Sequence, residues 1–117
     1  RFIATAEAVA SDAYKQMLLD SSSADIIYTP QVSGIPASFL RPSLLKAGLD
    51  PETLKHSGPV DIGSELGSAK AWKDIWSAGQ GTGAIHDLPT AGELCRRLSE
   101  EYRQTCSGLV NGVWNPG

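Results

Sequence analysis

The segment Thr90-Ala91-Gly92-Glu93 is the strongest local constraint in the chain, because it is a capping box. The threonine hydroxyl and the glutamate carboxylate each satisfy a backbone N–H that the first turn of a helix leaves unpaired. A helix is therefore predicted from Thr90 to about Gln104. Its expected buried stripe is Ala91, Leu94, Cys95, Leu98 and Tyr102, repeating at helical spacing. Arg96, Arg97, Glu100, Glu101 and Arg103 fall on the solvated side, and Arg103 near the end complements the helix dipole.

Ahead of that helix, turn residues divide the chain into short elements. Tyr14, Met17 and Leu18 predict an amphipathic helix that starts at about Glu7, or at Ser11, and runs to Asp20. Ser11 or Asp12 serves as its cap, and Lys15, Gln16 and Asp20 lie off the apolar stripe. Ser21-Ser22-Ser23 ends it, since hydroxyls compete locally for backbone groups. Residues 25–29, Asp-Ile-Ile-Tyr-Thr, read as a short strand stopped by Pro30. Residues 37–41 form a second short strand or an extended crossing. Pro42 then favours a helix over 43–47 closed by Gly48, and Asp50-Pro51 opens another. Residues 56–68 carry Gly58, Pro59, Gly63 and Gly67 without a period and read as a mobile loop. Residues 69–75 are expected to add a helical turn or two, with Trp72 and Trp76 four apart. The tail, 107–117, keeps Leu109, Val110, Val113 and Trp114 and is expected to dock on the body or a partner.

The opening Arg1-Phe2-Ile3-Ala4-Thr5 has the apolar character of a buried strand end. A strand needs lateral partners, and no hairpin is in sight. No methionine precedes it, so the 117 residues are expected to begin inside a larger protein. A composition of 41% hydrophobic and 20% charged residues is that of a globular chain. A net charge of −3 supplies no basic footprint for nucleic acid or an anionic membrane. No run approaches the ~18 apolar residues of a membrane span. Cys95 and Cys106 form no metal spacing and no disulfide framework. The simplest compartment is a reducing cytoplasm.

Trp76-Ser77-Ala78-Gly79-Gln80-Gly81-Thr82-Gly83 holds the residues with most binding potential. Glycine permits positive φ and close approach of the backbone to another surface. Ser77, Gln80 and Thr82 add neutral donors and acceptors rather than charge. Such a loop suits the polar edge of a planar cofactor or a phosphate; the alternative is a tight turn with close packing. Trp76 serves either as a ring cover or as core. Arg1 suits either a phosphate or an ion pair. Glu7 is expected to pair with a nearby cation, and Tyr14 and Tyr28 to pack. His56 and His86 are expected at surface or structural positions. No Ser/His/Asp arrangement is present, and no pair of carboxylates has a spacing that demands acid–base work.

Taken in order, these pieces resemble a known family. Arg1 to Glu7 is similar to the "GTRF-(I/L/V)-A-T-x-E" strand end of the nitronate monooxygenase (2-nitropropane dioxygenase-like) FMN enzymes. Tyr14-Lys15-Gln16, Asp25 to Thr29, Gly34-Ile35-Pro36-Ala37 and Leu40-Arg41 resemble the segment that follows. Trp76-Ser77-Ala78-Gly79-Gln80 resembles the family's "W-S-A-G-Q" loop ahead of the closing helix. The resemblance implies an α/β fold, the C-terminal part of a TIM-type (β/α)₈ barrel flavoenzyme, with the visible chain mostly helical. Residues 1–5 would end the last strand and 6–75 would form the small inserted segment. Residues 76–105 would supply the cofactor-side loop and final barrel helix, and 106–117 the tail. A whole barrel needs ~250 residues, so the remainder of the barrel upstream of Arg1 is the implied partner. An oligomer is compatible with the resemblance.

The implied cofactor is FMN, with Ser77, Gly79, Gln80 and Gly81 as its contacts in this chain. The implied reaction is oxidation of an alkyl nitronate with O2 to a carbonyl compound and nitrite. No catalytic residue is expected within this chain. The family's Gly-Thr before Arg1, its phosphate loop and its histidine base all belong upstream. Neither His56 nor His86 occupies the matching motif. A similar strand and a "GQ" loop also occur in FMN-dependent enoyl-acyl carrier protein reductases, which are the alternative enzyme reading. A non-catalytic fragment or interaction module is the alternative from another class.

Overall fold

The computed structural model describes residues 1–32, 34–54, 74–110 and 112. The expectations for His56, Trp72 and the stretch between them, and for Val113 and Trp114, lie outside the described residues.

The elements begin where local chemistry places them. Helix α1 spans Asp12–Leu19, with the Ser11 hydroxyl accepting the Tyr14 N–H at 3.2 Å. Of the two expected starts, the later one forms. Strands β1 (Ile26–Thr29) and β2 (Ala37–Leu40) pair antiparallel, with Ile26 opposite Leu40 and Ile27 opposite Phe39. Gly34, at φ +77°, lies in the connection, and its N–H reaches the Pro30 carbonyl at 2.8 Å.

Helix α2 (Arg41–Lys46) carries Pro42 in its first turn. It ends in a Schellman closure: Leu49 N–H bonds the Leu44 carbonyl and Gly48 N–H the Leu45 carbonyl. Gly48 takes the left-handed conformation this needs, at φ +83°. Helix α3 (Pro51–Leu54) starts on Asp50, whose carboxylate accepts the Glu52 N–H at 2.9 Å.

The period-two alternation of the hairpin splits the core. Ile27 and Phe39 face one cluster with Leu44, Leu54 and Ile75. Leu40, fully buried, joins Ala4, Leu18 and Ile85 on the other, with Tyr14, Met17 and Trp76 packed at its border.

The opening segment departs from expectation. Phe2–Ala4 is a 3₁₀ turn, not a strand end, and the Ala4 N–H returns to the Arg1 carbonyl. Extended backbone requires a lateral partner, and among the described residues none pairs with this segment as a strand. Lys15 is also corrected. Although it lies off the apolar stripe, it is only 6% exposed, and its ammonium donates to the Ala6 carbonyl at 3.4 Å.

Helix α4 spans Ala91–Val110, six residues beyond the expected end, and so takes up the start of the expected tail. The capping box forms: the Glu93 carboxylate accepts the Thr90 N–H at 2.8 Å and the Thr90 hydroxyl accepts the Glu93 N–H at 3.2 Å. Its stripe is less covered than predicted. Leu94 is buried and Ala91 and Leu98 are half-buried, while Cys95 is exposed and Tyr102 is 72% exposed. An apolar stripe specifies which face seeks cover, not that this chain supplies it. Both cysteines are free. No described helix is long and apolar enough to cross a membrane.

Candidate functional site

The Trp76–Gly83 loop is held at its entry by two helices and a strand. The Trp76 N–H donates to the Ser43 hydroxyl at 3.0 Å, and the Trp76 carbonyl accepts the Leu40 N–H at 2.9 Å. Ser77 continues this contact as an antiparallel bridge to Phe39. On the side of α1, the Tyr14 ring stacks on Trp76, with centroids 5.1 Å apart and planes 25° apart. The Tyr14 hydroxyl donates to the Ser77 carbonyl. The Lys46 ammonium lies 5.7 Å from the Trp76 ring centroid, a cation–π distance.

Beyond that grip the chain turns. Residues Gln80–Ala84 form a 3₁₀ helix in which Thr82 is buried. The Thr82 N–H and hydroxyl both reach the Gly79 carbonyl, at 3.0 and 2.8 Å. The far end packs near Ser23, where a Cβ at Gly83 would stand 3.5 Å from its backbone nitrogen.

Between these anchors Ser77, Gly79, Gln80 and Gly81 are all exposed. Neither glycine is demanded by the chain itself. Both lie outside the positive-φ region, and a Cβ on either meets nothing within 4 Å among the described residues. The chain does turn tightly here, from Gly79 into the 3₁₀ helix, but among the described residues no close packing accompanies the turn at Gly79 or Gly81. The Ser77 hydroxyl and Gln80 amide have no partner among the described residues, and residues 76–85 carry no charged side chain. A neutral, donor-and-acceptor face with room for close approach is compatible with the polar edge of a planar cofactor and, through its backbone N–H groups, with a phosphate. A cleft of about 510 Å³ lined by Ile27, Tyr28, Thr29, Pro30, Arg41 and Pro51 lies along β1 and contains none of the four loop residues.

The remaining candidates take structural places. Arg1 forms a two-point ion pair with Glu101 at 2.8 and 3.0 Å, which lowers the Glu101 carboxyl below its usual range and raises the guanidinium. Of the two uses open to it, the ion pair is the one formed. Among the described residues Glu7 does not pair with a cation. Its two oxygens accept the Ala91 N–H at 3.0 and 2.9 Å, capping α4 across the fold. Trp76 is half-buried and borders the core. Tyr28 is 72% exposed, so it does not pack as expected. His86 is exposed beside Asp87, whose carboxyl is lowered by Arg97.

Tyr14, Ser43 and Lys46 hold the loop entry, a role that the sequence did not mark for any of them. Tyr14 looked like one member of an apolar stripe, and only its hydroxyl hinted at more.

The backbone path has counterparts among solved structures. FabK from Thermotoga maritima superposes with a TM-score of 0.64 at 22% identity, covering 95% of this chain and 37% of FabK. A mutant of the same protein superposes with a TM-score of 0.66 at 21% identity, covering 95% and 35%. The fold resembles a segment of FabK. That protein is a TIM barrel, so the likeness fits the expected barrel segment. The chain spans about a third of the length of these structures. At this identity the likeness is one of fold. No family model and no curated protein matches the chain.

Proposed function

We propose that this chain is the C-terminal portion of an FMN-dependent barrel oxidoreductase that oxidises alkyl nitronates with O2, and that the Ser77–Gly81 stretch is one wall of its flavin pocket. The observation that carries the reading is the space that the described residues leave open beside Gly79 and Gly81, flanked by a Ser77 hydroxyl and a Gln80 amide without partners among those residues. Such a face can be approached closely by a ligand edge. The ordered resemblance, above all Trp76-Ser77-Ala78 before Gly79-Gln80, supports a flavin and a nitronate. FMN, when bound, supplies electron transfer between an organic substrate and oxygen.

In this reading the chain's own residues bind and orient. The Ser77 hydroxyl and the Gln80 amide donate to or accept from the oxygen and nitrogen edge of the ring. Gly79 and Gly81 let the backbone come close to it. The phosphate site and the proton-accepting base are assigned to the remainder of the barrel upstream of Arg1.

A second reading has its own support. Solved structures that superpose on this chain include FabK, an FMN-dependent enoyl-acyl carrier protein reductase, which favours reduction of an enoyl thioester with NAD(P)H. The test is made on the full-length protein. Oxygen consumption with propionate or propyl nitronate, without NAD(P)H oxidation in the presence of an enoyl thioester, supports the first reading. The reverse pattern establishes the second. A purified full-length protein that binds no flavin refutes both and returns the chain to an interaction module.

A further inference from the structure

We infer that Tyr14 is the positioning residue of the cofactor-side loop: its phenol holds the Ser77 carbonyl and its ring holds Trp76, so that Ser77, Gly79, Gln80 and Gly81 present one fixed face. The inference rests on the proposed flavin-wall reading and adds the device that orients the wall.

An amphipathic helix needs only an apolar residue at position 14, and phenylalanine would meet that need. The hydroxyl does something the stripe does not require. It crosses from α1 to the first exposed residue of the loop and ends on a backbone carbonyl, which can only accept. Burial raises the Tyr14 phenol above its usual range, so it remains a protonated donor through neutral and mildly alkaline pH. Trp76 is meanwhile gripped from α2 through Ser43 and Lys46. The loop entry is thus fixed from two elements at adjacent residues. The next bond that holds its backbone is the Thr82–Gly79 closure. Tyr14 therefore acts through the loop, as a positioning residue rather than a catalytic one.

The test is Tyr14→Phe and Tyr14→Leu in the full-length protein, read by amide hydrogen exchange and by FMN titration. Loss of one net hydrogen bond predicts about fivefold faster exchange over residues 77–81 in Tyr14→Phe. Amides of α4 should be unchanged, and Tyr14→Leu, which also removes the stacked ring, should give a larger effect. FMN should bind more weakly by a similar factor, with a shifted long-wavelength flavin band. Unchanged exchange over 77–81 in both variants overturns the inference. Faster exchange with unaltered flavin affinity and spectrum upholds the clamp and removes the loop from the flavin site.

Discussion

Glu7 closes the N-terminus of α4 by accepting the Ala91 N–H on both carboxylate oxygens, at 3.0 and 2.9 Å, across 84 residues of sequence. The Ala6 N–H bonds the Pro89 carbonyl beside it at 3.0 Å. The turn at the start of the chain and the closing helix are therefore one structural unit, and the loop at Ser77 lies between them in sequence. Glu7→Ala should lower stability by about 1 kcal/mol, the usual cost of a lost helix cap, and Glu7→Gln by less, since an acceptor remains. Urea unfolding midpoints at constant slope would measure both.

The hairpin core should be the most sensitive site to truncation. Leu40→Ala removes a fully buried side chain from the cluster that Trp76 borders. A cost of about 2–5 kcal/mol is expected, and the loop anchored at Trp76 should loosen with it. Thermal unfolding together with tryptophan fluorescence reads both effects; a cost under about 1 kcal/mol would contradict this packing.

Acid should weaken the fold in a defined window. The carboxyls of Asp87, Glu93, Glu101 and Asp25 are all lowered, by Arg97, by the Thr90 N–H and hydroxyl, by Arg1, and by the Ser22 N–H and hydroxyl, respectively. A lowered folded-state pKa gives stability that is present above the unfolded-state value and is lost as pH falls through the folded one. The melting temperature should therefore be flat near neutrality with respect to these groups and fall below roughly pH 4. Added salt should blunt the Arg97–Asp87 and Arg1–Glu101 share, because both pairs are at the surface.

Much of the fold was legible because its determinants are local. The Ser11 cap, Pro30, the Pro42 and Gly48 brackets of α2, the Asp50-Pro51 start of α3 and the Thr90–Glu93 box each act within a few residues of themselves. What was not legible depends on distant partners. The 3₁₀ turn at Phe2–Ala4 has no strand beside it among the described residues. Lys15 is buried with its ammonium on the Ala6 carbonyl, outside its own helix, and Tyr102 is exposed because no described element covers its face. Glu7 and Tyr14 act on residues far along the chain, where spacing says nothing. In the candidate site, the Ser77–Gly81 stretch could be picked out by composition, but the grip of Tyr14, Ser43 and Lys46 on its entry could not.

Glycine supplies the sharpest contrast. Gly48→Ala, at φ +83°, should cost about 1 kcal/mol from backbone strain although its Cβ would meet open space. Gly79→Ala and Gly81→Ala carry no such strain and should leave the melting temperature unchanged or slightly raised.

Equilibrium FMN titration of the full-length protein and its Gly79→Ala and Gly81→Ala variants, with their melting temperatures measured alongside, is the most direct test of the loop as a flavin wall. Unchanged melting temperatures with FMN affinity lowered by about tenfold or more, equivalent to about 1.4 kcal/mol, are the predicted result. Full FMN affinity in both variants would contradict it.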